Sequence, residues 1–148
     1  MKLKIYIVGP YSNTDKTIRD QNIEKAKQAA KKIWNSGNYA FCPHLNTARF
    51  EDDPECTASY QDFIDGTLSF MYDCHCLYVL SGYEKSKGSV GEIAAAIEHG
   101  KPVFYQDKGE FPHYDSKEAA IAAAICDLEE RENLEILESA HNWEEVTE

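Results

Sequence analysis

No apolar run in this 148-residue sequence reaches the roughly 18 residues needed to span a bilayer. The opening MKLKIYIVG holds an apolar run of strand length rather than the core of a secretory signal, so a cytoplasmic protein is expected. No Lys/Arg block stands out beyond the scattered lysines of residues 16–32, and the formal net charge is −11. Binding a nucleic-acid backbone needs a basic stripe that releases counterions, so duplex nucleic acid and anionic membranes are disfavoured partners. Cysteine is sparse and odd in number, five in all, which points to reduced thiols rather than a disulfide framework. In DCHCLYVL, strand alternation aims Cys74 and Cys76 at one face and His75 at the other. That is not the C-x₂₋₄-C spacing of zinc sites, so no metal is expected and the thiols read as small buried apolar groups.

Two phosphate signatures are also missing. GPYSN (9–13) follows the first strand without the G-x-G-x-x-G pattern, and no GK[ST] loop exists. A dinucleotide cofactor and P-loop hydrolysis of ATP are therefore not expected, and no other cofactor is called for.

What is present alternates strands with helices. LKIYIVG (3–9) reads as a strand ending at Gly9-Pro10, and residues 15–36 as a helix with Ile23, Ala26, Ala30 and Ile33 at helical spacing. YAFCP (39–43) is a short strand, residues 44–59 a polar loop, and 60–73 a helix through Phe63, Leu68 and Met71 or Tyr72. CHCLYVL (74–80) is an apolar strand, 89–99 a helix capped by Gly100, and PVFYQD (102–107) the fourth strand. Apolar, non-alternating strands between helices predict an α/β fold, a three-layer flavodoxin-like or Rossmann-like sandwich on a parallel sheet of four to five strands. One domain spans 1–148, with a core over about 3–106 and an acidic helical extension from 115 to 148 whose Leu/Ile spacing suits packing or self-association.

Ligands of such sheets sit beyond the carboxyl ends of the strands, which gathers Gly9–Asn13, His44–Asn46 and Ser81–Ser89 on one rim. The segment SKGSVGEIAAAIEHG (86–100) places glycines and hydroxyls at a helix start, where free N–H groups can hold an oxyanion or phosphate. Glu92 is expected in the first turn of that helix, with its charge favoured by the dipole. An ionised carboxylate in a cleft suits attack at a sugar C1′, whose transition state carries positive charge. The same residue also reads as a simple dipole complement. Asp65 offers a second acid for proton management, or is a solvated helix residue. Tyr11 and His44 are rim residues that also read as packing and loop groups, and Asp52 and Asp53 read as solvated loop charges.

The ordered set KIYIVGPYS, FCPHLN, Asp65 with Asp73 eight residues on, and GYEKSKGSVGE resembles the nucleoside 2-deoxyribosyltransferase superfamily over about residues 3–106. Within it the chain is similar to an uncharacterised bacterial and phage branch with a G-W/Y-E-x-S-x-G-A/S motif, and more distantly to 2′-deoxynucleoside 5′-phosphate N-hydrolases. The resemblance implies Glu92 as a nucleophile forming a glycosyl ester, Asp65 as the acid that binds sugar hydroxyls or handles the proton, and Tyr11 as the group orienting Glu92. It implies a sugar or 5′-phosphate pocket of Gly9, Pro10, Ser86, Gly88 and Ser89 with His44 and Asn46 nearby, a small-molecule nucleoside or nucleotide partner, no cofactor, and a homodimer or higher homo-oligomer. The first loop lacks the Arg of the phosphate N-hydrolases, a place that Arg19 or Arg49 is free to fill by sequence. The competing reading is a non-catalytic module that senses a nucleotide in the same pocket. A third is a scaffold whose acidic tail recruits a partner.

Overall fold

The computed structural model describes residues 2–109. The expected C-terminal helical extension lies outside them. Four parallel strands form one sheet in the order β2-β1-β3-β4: β1 Lys4–Val8, β2 Tyr39–Phe41, β3 Cys76–Val79 and β4 Val103–Tyr105. The helices are α1 Lys16–Asn35, α2 Pro43–Asn46, α3 Tyr60–Asp73 and α4 Lys87–Glu98. This is the strand order that opens the flavodoxin-like arrangement.

β1, β3 and β4 are buried on both faces because helices cover both, whereas the edge strand β2 is exposed to half-buried. Ile5, Ile7, Cys76, Tyr78, Leu80 and Phe104 pack toward Ala26, Ala29, Ala30 and Ile33 of α1. Tyr6, Val8, Leu77, Val79, Val103 and Tyr105 pack toward Met71 of α3 and Val90, Ile93, Ala94 and Ala96 of α4. Removing a side chain such as Ile5 or Ile7 from water contributes about 1.5–3 kcal/mol, and both are wholly buried. The small residues on α1 and α4 let each helix lie close to the sheet.

Two expectations are corrected here. Cys74 and Cys76 do not share a face: Cys74 is the C-cap of α3, ahead of the strand, and joins the α3/α4 core, whereas Cys76 joins the α1 core. Burial pushes both thiols up, to about 11 and about 12, which keeps them as unreactive thiols. The segment 44–59 is not all loop, because Pro43 pre-sets the backbone for a helical turn, α2, with its missing N–H at no loss. A 3-10 turn at Phe50–Asp52 follows Arg49, whose φ of 63° is left-handed.

The ends of β1 and β3 meet at Gly9. A Cβ there would lie 2.8 Å from Leu80 Cδ1 and 3.2 Å from Leu80 Cβ, so any larger residue would push against Leu80 where the two strand ends run side by side into the rim.

Candidate functional site

The chain leaves β1 toward β2 on one side and returns to β3 on the other, and the loops diverge at that switch. A cleft of about 540 Å³ opens there, a size that suits a small-molecule ligand. Of the expected site residues, Gly9, Pro10, Tyr11, His44, Ser86, Gly88, Ser89 and Glu92 all line it.

Glu92 sits deeper along its helix than expected. Ser86 caps α4, its Oγ accepting the Ser89 N–H at 3.3 Å, and the helix begins at Lys87. Glu92 therefore lies in the second turn, where the dipole's effect has largely decayed. Burial governs it instead. Its Oε2 is shut off from solvent with no hydrogen-bond partner, and desolvation pushes the carboxyl up to about 7, partly offset by the nearby Tyr6 hydroxyl. The group is poised to exchange a proton near neutrality.

Tyr6, not Tyr11, stands beside Glu92. Its ring is wholly buried on β1, its hydroxyl is unpartnered, and its polar neighbours are Glu92 and Thr67. Burial first, then the Glu92 charge, raises its pKa. Tyr11 turns the other way. Its hydroxyl donates to Glu51 Oε1 at 2.7 Å and accepts the Arg49 N–H at 3.0 Å, which leaves it no hydrogen to give Glu92.

Glu51 belongs to a charge network that also takes in Asp52. Arg19 reaches Glu51 and Asp52 at 3.1 Å each, and Arg49 pairs with Asp20 and, at 3.9 Å, with Asp52. Asp52 is thus an exposed charge, as expected, that is also paired with two guanidiniums. Neither arginine is left over for a phosphate. Asp53 accepts the Glu55 N–H, as a loop residue does.

His44 is buried under the rim. Its Nε2 lies 3.0 Å from the Gly9 carbonyl and 2.9 Å from that of Pro10. Carbonyls only accept, so Nε2 carries the hydrogen and Nδ1 presents a lone pair, buried and unpartnered. Burial lowers the ring's pKa against the pull of the two carbonyls, which keeps the imidazole neutral. Ser89 likewise has a buried hydroxyl with no partner, whereas Ser86 uses its own as a cap. At Gly88 an added Cβ would meet nothing within 4 Å, so protein packing does not demand the glycine and its side opens on free space.

Two expected residues fall outside the cleft. Asp65 is exposed and accepts a hydrogen bond from Gln61 Nε2 at 2.8 Å. The face that α3 turns to the cleft is Tyr60, Phe63, Ile64 and Thr67, the i, i+3, i+4, i+7 stripe, and Asp65 lies off it. Asn46, exposed at the end of α2, does not line the cleft either, and Thr47 takes that position. Glu51, Tyr60, Phe63, Ile64 and Thr67 are lining residues that sequence reasoning missed, whereas Lys85 and Lys87 fall within the expected rim segment Ser81–Ser89. The apolar stripe was available from the period of α3, and Tyr6 from being a hydroxyl in an otherwise apolar strand. Glu51 carried no local signal.

Residues 3–106 match the family model described as a domain of unknown function, DUF7768. No curated protein matches the chain. Among solved structures, a conserved protein from Enterococcus faecalis V583 superposes with a TM-score of 0.52 at 19% identity, covering 93% of this chain and 87% of that one. A 2-deoxyribosyltransferase from the psychrotolerant bacterium Bacillus psychrosaccharolyticus gives 0.48 at 19% identity, over 84% of this chain and 95% of that one.

Proposed function

The chain belongs to the DUF7768 family, and for it we propose cleavage of the N-glycosidic bond of a (deoxy)nucleoside or its 5′-monophosphate through an ester on Glu92. The observation that carries this reading is the Glu92 carboxyl in the cleft, its Oε2 buried without a hydrogen-bond partner and its pKa raised to about 7. In its ionised form Glu92 attacks C1′. The C1′–N bond breaks, its electron pair leaves with the base, and the base nitrogen takes up a proton. Water or a second base then attacks C1′, gives up a proton, and releases the Glu92 carboxylate. Positive charge developing at the sugar is offset by the anion, whose desolvation strengthens the interaction.

Supporting roles follow from chemistry already described. The Tyr6 hydroxyl steadies Glu92 and favours its charged form. His44 offers Nδ1 as an acceptor and Ser89 its free hydroxyl, both suited to sugar hydroxyls. Lys85, Lys87 and the start of α4 are the cationic end of the cleft, so a 5′-phosphate, if part of the substrate, goes there and not to Arg19 or Arg49. Assembly into a homo-oligomer, with the chain as one domain, is carried with the proposal and is read by light scattering on the full chain.

One observation favours the second reading, a non-catalytic nucleotide sensor. Among the described residues, the other acid lining the cleft, Glu51, is already held by Arg19 and Tyr11, so none of them offers a second free carboxyl to protonate a leaving base. The deciding experiment is free-base release from ribo- and deoxynucleosides and their 5′-monophosphates, with and without a second base, for wild type and Glu92→Gln. Release that disappears in the variant supports the enzyme. Silence with ligand binding retained supports the sensor.

A further inference from the structure

The two faces of the sheet are covered unequally. On the side that holds Glu92, α3 and α4 both lie against the strands. On the other side, among the described residues, α1 is the one long helix. Strands lie about 4.8 Å apart and a helix with its side chains is about 10 Å across, so one helix covers about two strands. α1 packs on β1 and β2, and its Trp34 meets Tyr39 of β2 with ring centroids 5.5 Å apart. Tyr78 of β3 and Phe104 of β4 belong to the same face and are buried, with 6% and 7% exposure. Their half of the face therefore calls for a second cover.

The chain itself arrives at that place. The Tyr78 hydroxyl donates to the carbonyl of Gly109, the last described residue, at 3.4 Å, so the backbone leaves β4 on the α1 side. Thirty-nine residues follow, with twelve Asp/Glu against two Lys/Arg, whereas residues 1–109 are near balance with fourteen against thirteen. In that segment Ile121, Ile125 and Leu128 stand at i, i+4 and i+7, the spacing of one apolar helix face. α1 offers the opposite charge. Its Trp34 points to the β2 edge, and at 100° per residue Lys27 and Lys31 share that outer flank, while Lys25, Ala29 and Lys32 fall on the flank toward β3.

We propose that residues 118–138 of this chain form a helix that lies across β3 and β4 beside α1. Ile121, Ile125 and Leu128 rest on Tyr78 and Phe104, and the acids run along Lys25 and Lys32. A helix of that length spans about 30 Å, more than enough to cross strands of three and four residues. The family match stops at residue 106, so this cover comes from outside the matched domain. The acidity of the segment then serves docking on the chain's own α1 and not the recruitment of another protein.

The test treats the full chain, an equal mixture of ¹⁵N-labelled and unlabelled molecules, with a water-soluble carbodiimide that joins a carboxylate to an adjacent amine. Mass spectrometry reads the linked peptides. Links from Lys25 or Lys32 to acids of residues 118–138, within single molecules, are expected in several-fold higher yield than links from Lys27 or Lys31. Equal yields on the two flanks overturn the proposal, and so do links that pair labelled with unlabelled peptides, which would give the segment to a second copy. Ile125→Ala in the full chain is expected to lower the urea midpoint by about 1 M. An unchanged midpoint overturns the proposal as well, because a solvent-exposed isoleucine would tolerate that substitution.

Discussion

Replacing Glu92 by Gln is expected to stabilise the protein, increasingly as pH rises from the ordinary carboxylate range to neutrality and above. The carboxyl's pKa rises from an ordinary 4.5 to about 7 because burial disfavours its charged form. At about 1.36 kcal/mol per pH unit, that rise corresponds to at most about 3 kcal/mol. The direction follows from proton binding. Between 4.5 and about 7 the folded state holds a proton that the unfolded state has lost, so stability falls as pH rises through this window. Below it both states are protonated and nothing is lost; above it the full amount is. Gln cannot ionise, so the variant escapes the loss. At pH 5 the two proteins should unfold within about 1 kcal/mol of each other. At pH 8.5 the variant should be more stable by up to about 3 kcal/mol, or about 6–12 °C in Tm. Urea unfolding of both proteins at the two pH values measures the difference directly. An equal gap at both would refute the reasoning, because it would mean that Glu92 is solvated in the native state. A group retained at this cost to stability is expected where it serves chemistry.

Other outcomes follow from the same geometry. Tyr6→Phe removes a hydroxyl that helps hold Glu92 ionised, so the acid limb of a pH–rate profile should move to higher pH while urea stability changes by about 1 kcal/mol or less. Gly9→Ala brings a methyl to 2.8 Å from Leu80 Cδ1 and should destabilise by about 1–3 kcal/mol in urea unfolding. Asp65→Asn alters an exposed group whose partner is Gln61, and kcat/KM for base release should stay within about threefold of wild type, less than about 1 kcal/mol; a loss of a hundredfold would show that Asp65 reaches a reacting substrate.

The fold was legible because its strands are short, apolar and separated by helix caps. Ser59 with Asp62 forms a capping box at the start of α3, and that helix runs over the expected 60–73. The rim was legible too, since the carboxyl ends of parallel strands follow from connectivity alone. Side-chain roles within the rim were not. Asp65 differs from the cleft-facing Ile64 by one residue, or 100° around a helix, and the apolar spacing of α3 did not fix which side faced the ligand. Tyr11 was given the orienting role by the resemblance, but its hydroxyl is claimed by Glu51, forty residues away. Cys74 was misplaced by starting the strand two residues early, at the residue that caps α3 and so does not follow strand alternation. Glu92 was read as dipole-stabilised because Gly88 looked like loop, whereas Ser86 already caps the helix.

The division of β1 between two packing faces carries an evolutionary consequence. Ile5 and Ile7 face α1, while Tyr6 and Val8 face the layer that holds Glu92. Substitutions on the first face reach selection mainly through the abundance of folded protein. Those on the second reach it through turnover as well, so neighbouring codons of a single strand are held by different pressures. A screen that reads abundance and activity separately would see the two properties alternate along residues 5–8, with the period of a β-strand.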